Sequence, residues 1–222
     1  MEMKKFIDFA KNQGINLKKR WISEGFVWRY FEGRYKGLRF ICSKVMDGEL
    51  HWGIKVKFFY SRPNNLGFCC KCKINPPITA LYYKEHRDIF SRKVDTGIEG
   101  LRCFAVRKDP IEILFRQESV VQSINALKDI LQISDTSPIH TNALLINDEF
   151  VVAFIRRGAS VNLKHLMDTI YDLCTSLWDF WKNQDPGIYK TRPSEKIFRV
   201  VSIFLIIVLL FVCGWIIFSA YP

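Results

Sequence analysis

The sequence is poor in glycine and proline, and its cysteines are few and odd in number. It has 222 residues, of which 12 are glycine, 8 proline and 7 cysteine. These counts exclude collagen-like and low-complexity proteins, and a hydrophobic fraction of 49% excludes disorder along the whole chain. Scattered, unpaired cysteines also exclude a disulfide-rich scaffold and suit a reducing compartment. We expect one or two ordinary folded domains.

Charged residues are absent from residues 200–221, which read VVSIFLIIVLLFVCGWIIFSAY. Fifteen of these 22 residues are Leu, Ile, Val or Phe. As a helix the segment would measure about 33 Å at ~1.5 Å per residue, enough to cross a hydrocarbon core of about 30 Å. A buried core helix of this length would normally show a polar stripe, and this segment has none. The pattern predicts a transmembrane helix over residues 198–221.

The residues around this segment predict its orientation. Four side chains suit the two membrane interfaces: Lys196, Arg199, Trp215 and Tyr221. Lysine and arginine precede the segment and none follows it in the sequence, and positive residues stay on the cytoplasmic side. Residues 1–13 contain no apolar run of signal-peptide length. We therefore expect a tail-anchored, single-pass protein of the cytoplasmic (inner) membrane whose N-terminal domain lies in the cytoplasm.

Acidic residues are scarce in the first half of the chain. Residues 1–110 hold 23 Lys and Arg against 11 Asp and Glu, whereas residues 111–222 hold 10 against 11. Basic and aromatic residues interleave there, most densely at Lys18, Lys19, Arg20, Trp21, Arg34 and Arg39. This mixture suits anionic lipid headgroups or an acidic protein partner. Single-stranded nucleic acid is a weaker expectation, and a solvated face without a dedicated partner is the alternative.

Hydrophobic periodicity predicts an α+β fold for residues 1–182. A short amphipathic helix over residues 3–10 ends at Gly14. Runs of aromatic and β-branched residues separated by turn signals then predict an N-terminal antiparallel meander, with strands at Trp28–Phe31, Arg39–Val45, Leu50–Tyr60 and Gly67–Ile74 and a possible fifth at Thr79–Tyr83.

The second half of this region predicts a strand, helix, hairpin and long-helix module. The strand is Leu101–Val106, and Asp109 is expected to cap a helix that runs to Phe115. A helix at Ser119–Leu131, a hairpin of Ala143–Asn147 with Phe150–Arg156, and an amphipathic helix from Leu163 to Trp181 follow. We expect either one domain or two lobes, 1–83 and 84–182, and a linker over 183–197.

Candidate catalytic and metal-binding patterns are weak. Cys69, Cys70 and Cys72 lack the second pair that a zinc site requires, and strand alternation predicts that Cys70 and Cys72 face the core while Cys69 points outward. The triplet Asp95-Thr96-Gly97 resembles that of aspartic proteases but lacks their preceding apolar run, so we expect a turn. We expect no enzymatic activity, no catalytic residue, no metal and no cofactor.

Two segments resemble an uncharacterised bacterial family of membrane-associated α+β domains. They are the hairpin sequence Glu32–Arg39 and the strand-to-helix sequence Phe104–Pro110, and the similarity extends over about residues 25–182. The chain departs from the family pattern because it lacks an acidic-aromatic pair just before Phe104. The resemblance implies the fold and membrane association, and it implies no activity.

Two functional interpretations follow from the sequence. In the first, the basic domain is a non-enzymatic interaction or scaffold module held at the cytoplasmic face of the membrane. In the second, the domain senses a ligand and the helix oligomerises to permeabilise the bilayer, as in stress or antiviral defence. Cys213 and Gly214 belong to a small-residue patch that suits helix packing, so a protein partner or a homo-oligomer is expected. A helix with few polar side chains favours the anchored module.

Overall fold

A computed structural model describes residues 2–23, 27–47, 50–60, 69–72, 91–133, 142–183 and 200–210 of the chain. Nine strands of these residues form one antiparallel sheet, which confirms the predicted α+β class. The strands are β1 Lys18–Ser23, β2 Val27–Tyr35, β3 Leu38–Asp47, β4 Leu50–Phe59, β5 Cys69–Cys72, β6 Arg92–Val94, β7 Leu101–Ala105, β8 Ala143–Asn147 and β9 Phe150–Arg156. The helices before residue 184 are α1 Met3–Asn12, α2 Lys108–Leu114, α3 Glu118–Ile130 and α4 Leu163–Lys182.

The order of the strands is β1-β2-β3-β4-β9-β8-β5-β7-β6. Three strands of the predicted meander correspond to β2, β3 and β4, each of which pairs with the next, and β1 adds an unpredicted strand beside β2. The fourth predicted strand, Gly67–Ile74, contains β5, but β5 pairs with β7 and β8 and does not continue the meander after β4, which corrects that part of the prediction. The predicted hairpin corresponds to β8 and β9 with the same bounds. Strands from both halves of the chain therefore share one sheet, while the division into two lobes stays a prediction.

The main core lies between one face of the sheet and the helices. Because side chains alternate along a strand, residues such as Phe40, Cys42, Val56 and Phe58 all point to this face, where they are fully buried. The α1 residue Phe6 packs edge-on against Phe40 with ring centroids 6.0 Å apart. The Phe40 ring in turn stacks on Phe58 at 5.4 Å. These ring contacts attach α1 to the first strands of the sheet.

The opposite face of the sheet has a smaller apolar cluster at its centre. Six buried residues from three neighbouring strands form it: Cys69, Ala143, Leu145, Phe150, Val152 and Phe154. The prediction that Cys69 points outward was therefore wrong, since only 4% of it is exposed. Strand alternation correctly placed Cys69 on the other face of the sheet from Cys70 and Cys72. Side chains on both faces are buried at this point, so alternation does not distinguish buried from exposed positions.

Cys70 and Cys103 form a disulfide, which corrects the expectation of unpaired cysteines. The two residues lie 33 positions apart in sequence and directly opposite each other in the pairing of β5 with β7. No local pattern brings them together, because the register between two strands from different parts of the chain decides which residues are opposite. The other cysteines of the described residues, Cys42, Cys69, Cys72 and Cys174, lie outside this disulfide, and all four are buried.

Two local predictions concern helix and turn signals. Helix α2 begins at Lys108, one residue before the predicted cap, so Asp109 lies in its first turn and Arg107 takes the N-cap position without a side-chain cap bond. An acidic residue in the first turn still favours the helix through its dipole. The triplet at 95–97 is a turn, as predicted, since the Asp95 carboxylate accepts a hydrogen bond of 3.1 Å from the Gly97 amide.

Several predictions fall on residues outside the described ranges. They are the strand Thr79–Tyr83, all of the linker 183–197 except its first residue, the interfacial side chains Lys196, Arg199, Trp215 and Tyr221, and the packing pair Cys213 and Gly214. Residues 200–210 are helical, and we name this segment the apolar helix. No helix within the described part of the chain is both long enough and apolar enough to cross a membrane.

Candidate anion-binding cleft

The β2–β3 turn projects a lysine toward the helical layer. Lys36 and Gly37 are the two central residues of this turn, and both have positive φ angles, 48° and 88°. Two-residue turns with this geometry match the right-handed twist of paired strands and favour glycine at the second position. The turn therefore holds the Lys36 side chain at the end of the hairpin, close to α4.

Asp168 of α4 binds both residues that begin this turn. The Tyr35 hydroxyl donates a hydrogen bond of 2.8 Å to the Asp168 carboxylate, and the Lys36 ammonium lies 2.7 Å from the same oxygen. The hydrogen bond with Lys36 lowers the pKa of Asp168 and raises the pKa of Lys36. Burial, and then Asp168, raises the pKa of Tyr35 to about 12, so its hydroxyl stays a proton donor at neutral pH.

A second carboxylate, Glu32 of β2, orders two arginines on the sheet. The Arg39 Nε atom lies 2.7 Å from one Glu32 oxygen, and the Arg20 Nε atom lies 3.5 Å from the other. The hydrogen bond with Arg39 lowers the pKa of Glu32. All three side chains are partly exposed, so these pairs contribute little stability and serve mainly to restrict where the guanidinium groups lie.

A cleft of about 880 Å³ contains both of these clusters. The loop after α1, the β2–β3 hairpin, β1 and the beginning of α4 enclose it. Six cationic side chains line the cleft, namely Lys18, Arg20, Arg34, Lys36, Arg39 and Lys164. Only two carboxylates, Glu32 and Asp168, oppose them, so the lining carries a formal excess of four positive charges.

Three of the six cations form no ion pair with any described residue: Lys18, Arg34 and Lys164. Arg34 lies directly opposite Arg39 in the pairing of β2 with β3, an arrangement in which like charges repel. Its guanidinium donates a 3.2 Å hydrogen bond to the Gly37 carbonyl, which carries no formal charge. The cleft thus combines three cations that a carboxylate holds in place with three that form no ion pair with a described residue.

The structure brings four of the six predicted contact residues into the cleft. Lys18 and Arg20 alternate with Lys19 and Trp21 along β1, so the two pairs point to opposite faces of the sheet. Lys19 therefore lies outside the cleft, with its ammonium 5.6 Å from the centre of the Trp21 ring, and 53% of Trp21 is exposed. The prediction grouped the six by proximity in sequence and did not separate the two faces.

Lys19 instead borders a smaller pocket of about 360 Å³ beside α1. Its lining consists of three apolar side chains and three lysines: Met3, Ile7, Phe31, Lys4, Lys19 and Lys44. Together with exposed Trp21, this pocket makes a second basic-aromatic surface.

Sequence reasoning missed the α4 and turn residues of the cleft. Lys164 and Asp168 lie four residues apart and so share a helix face, a spacing that was visible in the sequence. Nothing in the sequence indicated that this face would meet Tyr35, which is 133 residues away.

No family model and no curated protein matches this chain, in keeping with the resemblance to an uncharacterised family. Among solved structures, the crystal structure of the mycobacterial trehalose monomycolate transport factor A, TtfA, aligns with 81% of this chain and 93% of that chain. The TM-score is 0.47 and the sequence identity is 9%. Similarity at this level supports no inference about fold or function.

Proposed function

We propose that this chain is a single-pass membrane protein whose basic domain, residues 2–183, binds an anionic partner at the cytoplasmic face of the membrane without catalysing a reaction. The proposal combines the apolar helix, the basic cleft and the surface around Trp21. The exposure of the apolar helix is the observation that carries it.

The apolar helix presents large hydrophobic side chains on all sides. Its ten Val, Ile, Leu and Phe residues are each between 41% and 68% exposed. An amphipathic docking helix would bury one face and expose a polar one, whereas a helix that is apolar all round is suited to a hydrocarbon environment. The uncharged sequence continues to Tyr221, which supports a membrane span over 198–221.

Two arginines at the centre of the uncharged segment test this membrane span in the full-length protein. The double substitution Leu209→Arg/Leu210→Arg disfavours insertion by about 2.5–3.5 kcal/mol for each arginine. We expect the natural protein to resist extraction from membranes by alkaline carbonate, and the variant to be released. The matched control, Leu209→Ile/Leu210→Ile, keeps the hydrophobicity and should stay in the membrane. Carbonate extraction of the natural protein would contradict the span.

The basic surfaces support the proposed partner class. Lys19 and exposed Trp21 combine a cation with an amphipathic ring, the pair that proteins place at the headgroup level of a bilayer. The cleft adds four excess positive charges to the same domain. Each basic side chain near an anionic leaflet contributes about 1 kcal/mol to attraction.

A ligand-sensing effector that permeabilises the bilayer is the second candidate. The size of the cleft favours it, because about 880 Å³ falls within the range of small-molecule sites, about 300–1,000 Å³. Native mass spectrometry of the full-length protein in mild detergent discriminates the two. A closed homo-oligomer would favour the effector, and a single copy joined to other subunits would favour the interaction module.

A further inference from the structure

We propose that the cleft binds a small molecule carrying two or more phosphate groups, either free in solution or as the headgroup of a lipid. The inference rests on the proposed function, since it names the chemical class of the anionic partner. It follows from three properties of the cleft: its charge, its size and lining, and the prior ordering of its cations.

The charge of the cleft calls for a ligand with several negative charges. A single carboxylate would offset only part of the excess of four positive charges in the lining. A ligand with two phosphate groups carries three to four negative charges at neutral pH, because each phosphate monoester contributes about 1.5 to 2. Such a ligand would also relieve the repulsion between Arg34 and Arg39, which face each other across the strand pair.

The volume and lining of the cleft indicate what else the ligand contains. A volume of about 880 Å³ accommodates a phosphorylated molecule of moderate size rather than one phosphate ion alone. The lining contains a single aliphatic side chain, Ile15, and the remaining lining residues other than the glycines carry polar groups. The part of the ligand between the phosphates is therefore polar, as a sugar or polyol is, and an acyl chain would have to lie outside the cleft.

Two carboxylates hold some of the cations in place before any ligand binds. Glu32 restrains Arg39, and Asp168 restrains Lys36, whose ammonium also lies 5.0 Å from the centre of the Tyr171 ring. Ordering these side chains in advance reduces the entropy that binding must remove. The three cations that form no ion pair with a described residue, Lys18, Arg34 and Lys164, are then free to contact phosphate directly.

Titration calorimetry on the full-length protein in neutral detergent tests the proposal, with inorganic tripolyphosphate as the soluble probe. We expect saturable binding that weakens by about tenfold, or about 1.4 kcal/mol, for each cation removed, because each removal takes away a charge-assisted hydrogen bond to phosphate. The variants are Lys18→Gln, Arg34→Gln and Lys164→Gln, alone and combined.

Lys182→Gln is the matched control. It removes the same charge from the same helix, 18 residues from Lys164, and should leave the affinity unchanged. Lys164→Gln alone keeps the test decisive if the triple variant does not fold, because Lys164 is exposed on α4. No saturable binding, binding that survives the triple variant in folded protein, or an equal loss in the control would each overturn the proposal.

A second probe distinguishes the source of the phosphates. Short-chain phosphatidylinositol bisphosphate, dispersed in the same detergent, offers the phosphates on a lipid, and short-chain phosphatidylserine offers the same type of anchor with one phosphodiester and a carboxylate. Binding of the bisphosphate lipid at least tenfold more tightly than tripolyphosphate supports a headgroup, and the reverse order supports a free ligand. If neither probe binds while carbonate extraction still shows a membrane span, the cleft proposal fails and the anchoring stands.

Discussion

Tyr35 joins the apolar core to the charged cleft. Its ring packs edge-on against the Phe58 ring at 6.4 Å, and its hydroxyl donates to Asp168 at 2.8 Å. Only 7% of the residue is exposed, so the hydrogen bond forms at the boundary between core and solvent. A hydrogen bond to an ionised group in such a position contributes more than one between neutral groups.

A double-mutant cycle measures what this contact contributes. Tyr35→Phe and Asp168→Asn should each lower the free energy of unfolding, and the double variant should lose less than the sum of the two. We expect a coupling energy of about 1.5 kcal/mol, measured by urea unfolding at neutral pH. Replacing exposed Asp179 by Asn is the control, because Asp179 pairs only with Lys182 at the far end of the helix among the described residues.

The pH dependence of this coupling checks its electrostatic origin. The folded-state pKa of Asp168 lies below its ordinary value of 3.8. A carboxyl group whose pKa is lowered on folding stabilises the protein fully above its unfolded-state pKa, and loses that effect as the pH falls through the folded-state value. The coupling energy should therefore be constant above pH 5 and decline below about pH 4. A coupling that shows no decline as the pH falls below 4 would contradict a role for the ionised carboxylate.

At the scale of elements, strands β4 and β9 approach closely at Gly53. A methyl group added there would overlap the Ile155 carbonyl oxygen, and this obstructing atom belongs to the backbone. At Gly33 of β2 an added methyl would meet side-chain atoms, the nearest being in the Phe40 ring at 2.9 Å. A side chain can shift by a few tenths of an ångström more easily than a paired strand can.

Alanine substitutions at these two glycines should therefore differ. We expect Gly53→Ala to lower the free energy of unfolding by about 3 kcal/mol and Gly33→Ala by about 1 kcal/mol, both measured by urea unfolding. Elsewhere in a strand, replacing glycine by alanine tends to stabilise by reducing the freedom of the unfolded chain. Equal effects at the two positions would contradict the close approach of β4 and β9.

The strands that sequence reasoning missed are the two edges of the sheet. Strand β1 has the sequence KKRWIS, and β6 has RKV. Neither contains the run of alternating apolar residues by which strands are recognised. Edge strands commonly carry charged residues because these discourage pairing with other molecules. Their strand conformation therefore depends on a neighbouring strand rather than on local hydrophobic pattern.

At the scale of the whole molecule, the Cys70–Cys103 disulfide links β5 to β7, the strand next to the β6 edge of the sheet. It closes a loop that includes β6 and residues outside the described ranges. Closing a loop of this size restricts the unfolded chain and stabilises the folded one by about 4 kcal/mol in the chain-entropy description. Because two of the cysteines are bonded to each other, the cysteines no longer indicate a reducing compartment.

Thiol counting tests this disulfide. When the protein is denatured and alkylated directly at lysis, five of its seven cysteines should react, and all seven should react after reduction. Mass spectrometry of the intact alkylated protein gives both numbers. The control Cys42→Ala should lower each count by one, because Cys42 is a free thiol. Seven reactive thiols before reduction would show that the bond is absent from the protein in the cell.

The cleft could be predicted only in part. Five of its six cations lie within the first 39 residues, and the sequence indicated four of them, Lys18, Arg20, Arg34 and Arg39, by their density among aromatic residues. The sequence did not predict that Lys18 and Arg20 lie on one face of β1 and Lys19 and Trp21 on the other, because β1 itself was not recognised as a strand. Glu32, Lys36, Lys164 and Asp168 were not predicted as parts of a site, since each is an ordinary charged residue until its neighbours are known.

The sequence alone determined the central hairpins, the helices and the composition of the apolar helix, because hydrophobic periodicity, turn residues and uncharged runs act over a few residues to a few turns. Only the tertiary structure decided the pairing of Cys70 with Cys103, the burial of Cys69 on the second face, and the assembly of the cleft. These depend on the register of distant strands and on where α4 packs, and the contact of Tyr35 with Asp168 spans 133 residues. Such contacts are set by the sum of the packing interactions in the core, which no local pattern contains.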